Sequence, residues 1–298
     1  MEVRRLAWLL EPLPLVLLAA AAGLIVPSEG LAERADLVLA ALVFAVALTI
    51  EPRRLSAVLT RRREVVVLSL LPFVTLLPLA IGLGALFGGP EREGLLALGL
   101  ASTEVAAGGL VALAGGEAAL VLAVVSVSLV ATAVLAPIAV PLIAEGSPDP
   151  FELLIRFSLV VLVPLALGLA LRTGGRGRRV EPIAGRAATV ILAVLVYASL
   201  GDVEDPAELG SALLAAALFL SGSVAVALLL QSALGDRRTG PFAFVLRDFA
   251  VAAALASQLD APGAASTAAI YGVLMLIAAV AATELMKRPS SAAGGRRI

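Results

Sequence analysis

Residues 117–144 read EAALVLAVVSVSLVATAVLAPIAVPLIA, and after Glu117 no charged side chain interrupts them. A helix needs about 20 mostly apolar residues to cross about 30 Å of hydrocarbon, and this run is long enough. Nine further stretches qualify to either side of it, at 6–26, 36–50, 65–88, 94–114, 151–172, 183–200, 209–234, 241–258 and 263–284, the second being short. Together they use most of the chain and leave no room for a separate soluble domain. The composition agrees: 60% of the 298 residues are apolar, 15% are charged, and the mean hydropathy is +1.04. Soluble domains run closer to half apolar and a quarter charged, so neither a soluble enzyme nor a disordered chain fits.

Several function classes fall away at once. The net charge is −1, from 22 basic and 23 acidic residues, so no basic surface for nucleic acid is expected. The chain has no Cys and no His. It therefore has no disulfide framework, no thiolate nucleophile, no Ser-His-Asp triad and none of the common zinc sites. The expectation is an all-α integral membrane protein that is not an enzyme. It carries no resident cofactor, and its surroundings are lipid rather than an obligate protein partner.

Orientation follows from the basic residues, because positive loops stay in the cytoplasm. Arg4, Arg5, Arg53, Arg54 and Arg61–Arg63 fall on the amino-terminal side of a ten-span layout. So do Arg172, Arg176, Arg178, Arg179, Arg186, Arg237, Arg238, Lys287, Arg288, Arg296 and Arg297. Only Arg34 and Arg92 fall opposite, where Asp202, Glu204, Asp205 and Glu208 also cluster. Adding or dropping one interior span scrambles this bias, so both termini are expected in the cytoplasm of the inner (plasma) membrane. Residues 6–26 could alternatively be a signal peptide. Glu11, Pro12 and Pro14 interrupt that run, and the symmetry described next requires the span.

The loop at residues 145–150 divides five spans from five. Five is odd, so the second half enters from the opposite side, the inverted repeat common in secondary transporters. Residues 1–145 form the first repeat, 146–288 the second, and 289–298 a disordered tail. The fourth span of each half carries an internal acid and then small residues: Glu104 with Gly108 and Gly109, and Asp248 with Ala252 and Ala253.

Charge at membrane depth is costly, roughly 2.5–3.5 kcal/mol per group on insertion scales, and marks pathways. Glu11 and Arg156 lie near span ends and can reach the interface; Arg156 has Glu152 four residues earlier. Glu104 sits mid-span after Ser102 and Thr103, and the glycine pair one turn later weakens the helix by about 1 kcal/mol per residue relative to Ala. That pattern is expected of a broken, ion-lining span, or of a tight packing face. Arg247 and Asp248 are adjacent; in a helix they would point about 100° apart and need separate partners. Glu104 is the evident partner for Arg247. Trp8, Tyr197 and Tyr271 read as interfacial or packing residues, and Arg61–Arg63 and the arginines at 176–179 as topology anchors.

Residues 71–141 resemble the bile acid:sodium symporter family. The resemblance rests on Leu77-Pro78-Leu79, Gly94, Gly99, Leu113-Ala114-x-Gly116-Glu117-Ala118-Ala119-Leu120, Ser126-Val127-Ser128 and Pro137, with Ala254-Leu255-Ala256 and Leu259 in the second half. It implies a panel and a core domain, with the fourth and ninth spans discontinuous and crossing near the midplane. It also implies sodium-coupled transport of a small organic anion by alternating access. The crossover residues would be Ser102, Thr103, Glu104, Gly108, Gly109, Ser126, Ser128, Arg247 and Asp248. The family's sodium-site positions fall on Phe73, Ala107, Gly108, Val121, Val125, Arg247, Val251 and Ala252, which lack the side-chain oxygens that sodium needs. Three possibilities for coupling stay open: sodium held by backbone carbonyls, a proton on Glu104 or Asp248, or Arg247 in place of the cation. A cation/proton antiporter-like carrier that uses Glu104 and Asp248 is the alternative function.

Overall fold

The computed structural model describes residues 12–26, 28, 34–50, 61–143, 149–173, 177–201, 206–259 and 263–287. Trp8, Glu11, the whole basic 51–60 loop, Asp202, Glu204, Asp205 and the 289–298 tail lie outside them. The described elements are α1 (Pro12–Ile25), α2 (Ala35–Thr49), α3 (Arg62–Gly84), α4 (Gly89–Leu100), α5 (Ala107–Leu113) and α6 (Ala118–Ile143). After these come α7 (Pro150–Thr173), α8 (Gly177–Leu200), α9 (Pro206–Leu229), α10 (Gly240–Val245), α11 (Phe249–Ala256) and α12 (Ala264–Lys287). A single turn of helix, Gln231–Leu234, precedes α10. Among the described residues there is no β-strand, only one isolated bridge.

Six of these helices contain a segment long and apolar enough to cross a membrane: Arg62–Gly84, Ala118–Ile143, Pro150–Thr173, Ile183–Leu200, Leu209–Leu229 and Ala264–Met286. The chain is an all-α, multi-pass membrane protein. Its side chains are distributed accordingly. On α6, Val130, Val134, Ile138 and Leu142 are exposed at four-residue spacing, while Ser128, Thr132, Ala136 and Val140 are buried. Residues four apart share a helix face, so the large apolar stripe points outward and the hydroxyls point inward. Ile155, Leu159, Val163, Leu167 and Leu171 make the same exposed stripe on α7. A soluble bundle has the reverse arrangement.

The prolines sit where lipid-buried helices can absorb them. Pro164 in α7 has no N–H to give, and the turn before it, Ser158–Leu162, is wound as a π-helix in which Val163 N–H donates to Ser158 O, five residues back. The wider turn shifts the bonding register by one residue just before the proline. Asp149 starts α7: its carboxylate accepts from Phe151 N at 2.7 Å, and Pro150 holds the first helical position, where its missing N–H costs nothing. Arg156 Nε donates to Asp36 Oδ2 at 2.5 Å and ties α7 to α2, where the sequence suggested an i,i+4 pair with Glu152.

Two packing groups result. α8 lies against α1 and α2, and α7 lies against α2. α3 packs on α4 and α6, α12 on α4, α9 and α11, and α10 on α9 and α3. Small residues set the closest approach in the first group. A Cβ at Gly168 of α7 would lie 2.4 Å from Ala47 Cβ and 2.9 Å from Phe44 O. We expect Gly168→Val to push α7 off α2 and destabilise the fold by about 1–3 kcal/mol, the usual cost of overpacking. The midpoint of thermal unfolding in detergent checks this; an unchanged midpoint would mean that the contact is loose.

Candidate functional site

α4 stops at Leu100 and α5 starts at Ala107; α10 stops at Val245 and α11 starts at Phe249. Each interruption releases backbone groups from their helices, and in an apolar interior each must find a partner. The two interruptions supply one another. Glu104 N donates to Leu246 O at 2.8 Å, and Asp248 N donates to Ser102 O at 2.8 Å. The result is a short antiparallel bridge with Thr103 opposite Arg247.

Side chains satisfy the helix ends around the bridge. Thr132 Oγ1 donates to Leu100 O at 3.1 Å, Thr103 Oγ1 to Ala243 O at 3.0 Å, and Tyr271 OH to Val245 O at 2.7 Å. The Arg247 guanidinium donates through Nη2 to Ala101 O. Among the N–H groups, Thr103 donates to Ser128 Oγ at 3.1 Å and Arg247 to Tyr271 OH at 3.2 Å. Asp248 is the N-cap of α11, accepting from Ala250 N at 3.1 Å and Val251 N at 3.0 Å. A carboxylate at a helix N-terminus is favoured by the cap bonds and by the helix dipole.

Extended backbone turns successive side chains to opposite faces, and this sorts the charges. Thr103 and Arg247 share one face. Arg247 is 0% exposed, with its guanidinium carbon 5.2 Å from the centre of the Phe73 ring. Its Nε and Nη1 make no hydrogen bond among the described residues, so the cation–π contact and the Ala101 carbonyl are what hold the charge. Glu104 and Asp248 take the other face, where they line a cavity of about 170 Å³ together with Leu42, Val46 and Thr49 of α2 and Ala188, Thr189 and Leu192 of α8. Glu104 Oε1 accepts from Ala106 N at 3.1 Å, while Oε2 has no hydrogen-bond partner among the described residues.

A second polar cluster closes one end of the crossing. Arg61, just before α3, bonds to both Glu64 and Glu117. Glu117, foremost, and then Glu64 raise its guanidinium pKa above the ordinary arginine value. Glu117 N donates to Thr239 Oγ1 at 3.0 Å, and Thr239 Oγ1 to Asp236 Oδ2 at 2.8 Å. A Cβ at Gly116 would lie 2.8 Å from Arg238 O. The turn after α5 is thus clasped to the segment leading into α10.

The structure corrects the sequence reading at three points. Arg247 does not pair with Glu104; the alternation of the extended segment sends them to opposite faces. Arg247 and Asp248 do not lie within a helix, so the 100° argument does not apply. Gly108 and Gly109 are not the break: they lie inside α5, and the non-helical stretch is 101–106, with a turn at 105–106. A Cβ at Gly108 would be 3.2 Å from Leu122 Cδ2, and one at Gly109 would meet nothing within 4 Å.

Of the other residues singled out, Ser102 contributes its carbonyl and Ser128 its hydroxyl, whereas Ser126 turns back to Leu122 O at 2.9 Å within α6. Ala107, Val121, Val125, Val251 and Ala252 are buried apolar positions. Thr132, Thr49 and Thr189 escaped notice and Tyr271 was read only as an interfacial or packing residue, although a hydroxyl in an otherwise apolar span is a usable signal. No protein-family model and no curated protein matches the chain.

Tyr271→Phe leaves a buried donor and a buried acceptor at the bridge without partners. We expect it to lower stability by about 1–3 kcal/mol, read as a fall in the thermal unfolding midpoint; an unchanged midpoint would mean that the phenol does not hold the bridge.

Proposed function

We propose that the protein is a secondary active transporter working by alternating access and resembling bile acid:sodium symporters in construction. Each interrupted pair, α4–α5 and α10–α11, counts as one span in this reading. There are then ten spans, in two inverted repeats at 1–145 and 146–288, with both termini in the cytoplasm and the chain in the inner (plasma) membrane. The packing supports the correspondence. α1 and α2 of the first half answer to α7 and α8 of the second, and these four pack together. The observation that carries the reading is the crossing itself. Two interrupted helices from opposite halves meet beside a cavity, the arrangement that places a solute at the repeat interface. The cavity lies between the end of α2 and the first half of α8, which in this orientation is the cytoplasmic half.

Arg247 takes the place of a coupling cation in this proposal. Its guanidinium sits against the Ala101 carbonyl and over Phe73, where the family carries a glutamine. Coupling is therefore sodium-independent. The cargo implied by the resemblance is a small organic anion. The second reading, a cation/proton antiporter-like carrier, is favoured by one observation. The ionisable groups that line the cavity are Glu104 and Asp248, both acids, while Arg247 faces away.

Two measurements test the proposal. Thermal unfolding in NaCl against KCl at matched ionic strength is expected to show no sodium-specific stabilisation; a saturable sodium shift would restore a sodium site and remove the surrogate role of Arg247. In proteoliposomes, dissipation of an imposed pH gradient by added potassium or by a small carboxylate is expected to fall at least tenfold in Glu104→Gln and in Asp248→Asn. Arg247→Gln is expected to lose activity or to gain sodium dependence. Unchanged folding and transport in that variant would show that Arg247 replaces nothing.

A further inference from the structure

With Glu104 and Asp248 ionised, the cavity at the crossing presents side-chain acceptors to a solute and no side-chain donor. Thr49 Oγ1 gives its hydrogen to Val46 O at 2.7 Å, and Thr189 Oγ1 gives its hydrogen to Gly185 O at 3.1 Å. Each hydroxyl then has only lone pairs left to offer. Glu104 and Asp248 are pure acceptors when ionised, the state that a bound cation favours. Glu104 is 3% exposed and Asp248 4%, both line the cavity, and Glu104 Oε2 is a buried oxygen without a hydrogen-bond partner among the described residues. An anion placed here would face two carboxylates and find no side-chain hydrogen to accept.

The rest of the wall is apolar, with Leu42 and Val46 on one side and Ala188 and Leu192 on the other. A cavity of about 170 Å³ has room for about six waters at roughly 30 Å³ each, more than a bare alkali ion fills. Apolar walls around a few convergent polar atoms are the usual form of a site for an organic molecule.

The geometry points to a small organic monocation as the cargo, in place of the anion that the resemblance implies: an ammonium head between Glu104 and Asp248, its N–H groups received by Thr49 and Thr189, and a short apolar body against Leu42, Val46 and Leu192. This rests on the reading of the chain as a secondary carrier with its site at the crossing, and it names the class of solute. Thr49 and Thr189 become binding residues drawn from the two helices that face the crossing. A primary ammonium has three donors and no acceptor, the complement of this wall. A single positive charge held between the two acids offsets part of their mutual repulsion.

The test uses the full chain in detergent and three probes of similar size: propylammonium chloride, potassium propionate and 1-propanol, each against KCl at matched ionic strength. Propylammonium alone is expected to raise the unfolding midpoint saturably. The shift is expected to vanish in Glu104→Gln and Asp248→Asn. In Thr189→Val and Thr49→Val, which keep shape and delete only the acceptor oxygen, the apparent dissociation constant is expected to rise about threefold or more. These two variants keep the test decisive if the acid variants fold poorly, since each hydroxyl bonds only to its own helix. Stabilisation by propionate instead, a propylammonium shift that survives in all four variants, or no shift with any probe overturns the inference. Proteoliposome flux separates the two levels. Flux of a carboxylate dependent on Glu104, without an ammonium shift, sinks the cargo assignment and leaves the carrier reading standing. An ammonium shift without flux of any probe sinks the carrier reading.

Discussion

Everything in this molecule is arranged around one constraint: backbone N–H and C=O groups released inside an apolar bundle must be bonded, and no solvent is at hand to bond them. α4–α5 and α10–α11 break that rule locally and repair it jointly. Neither interruption is satisfied within its own helix. Glu104 N reaches Leu246 O and Asp248 N reaches Ser102 O, and the helix ends on either side take up hydroxyls from Thr103, Thr132 and Tyr271 and the guanidinium of Arg247. The cost of leaving such groups unpaired is several kcal/mol each in a medium without hydrogen bonds. The crossing is therefore a mutual dependence of two distant segments.

The same extended geometry separates two kinds of charge. Arg247 is enclosed on the face toward Phe73, against a carbonyl and an aromatic ring. Glu104 and Asp248 are on the face toward α2 and α8, where there is space. A helix running through this point would have spread these residues around its circumference. Two extended segments with Thr103 opposite Arg247 put the fixed cation on one side and the acids on the other. The chemistry of the site therefore follows from backbone conformation, which places a modest set of polar residues in an otherwise apolar core.

Much of the architecture was legible in the sequence, because membrane helices announce themselves. The apolar run of α6 and the small residues after Glu104 and Asp248 were visible at once, and the structure keeps α6 close to its expected limits. The position of the break was not. Gly108 and Gly109 are the residues of lowest helix propensity in that span, yet they are helical, because tertiary bonding outweighs about 1 kcal/mol per glycine. Thr103, β-branched and bonded to Ala243 O and Ser128, is where the chain is extended. The expected Arg247–Glu104 pair failed for a related reason: opposite charges in two facing spans look like partners until the backbone between them is known to alternate. Thr49 and Thr189 were passed over because a threonine in an apolar helix usually bonds only to its own preceding turn. Both do so here, and that bond decides what their oxygens have left to offer.

The pairing of the two interruptions also bears on how the chain is made. Thr103 and its acceptor Ala243 are 140 residues apart. At about 5–20 residues per second, roughly 7 to 28 s separate the emergence of the first interruption from that of the second. During that interval the 101–106 segment has left the ribosome without the strand that will satisfy it. It must wait beside water, within the insertion machinery, or in a temporary helix that later unwinds. The first half of the chain is thus born incomplete, and its final conformation at this point is written only when the second half arrives.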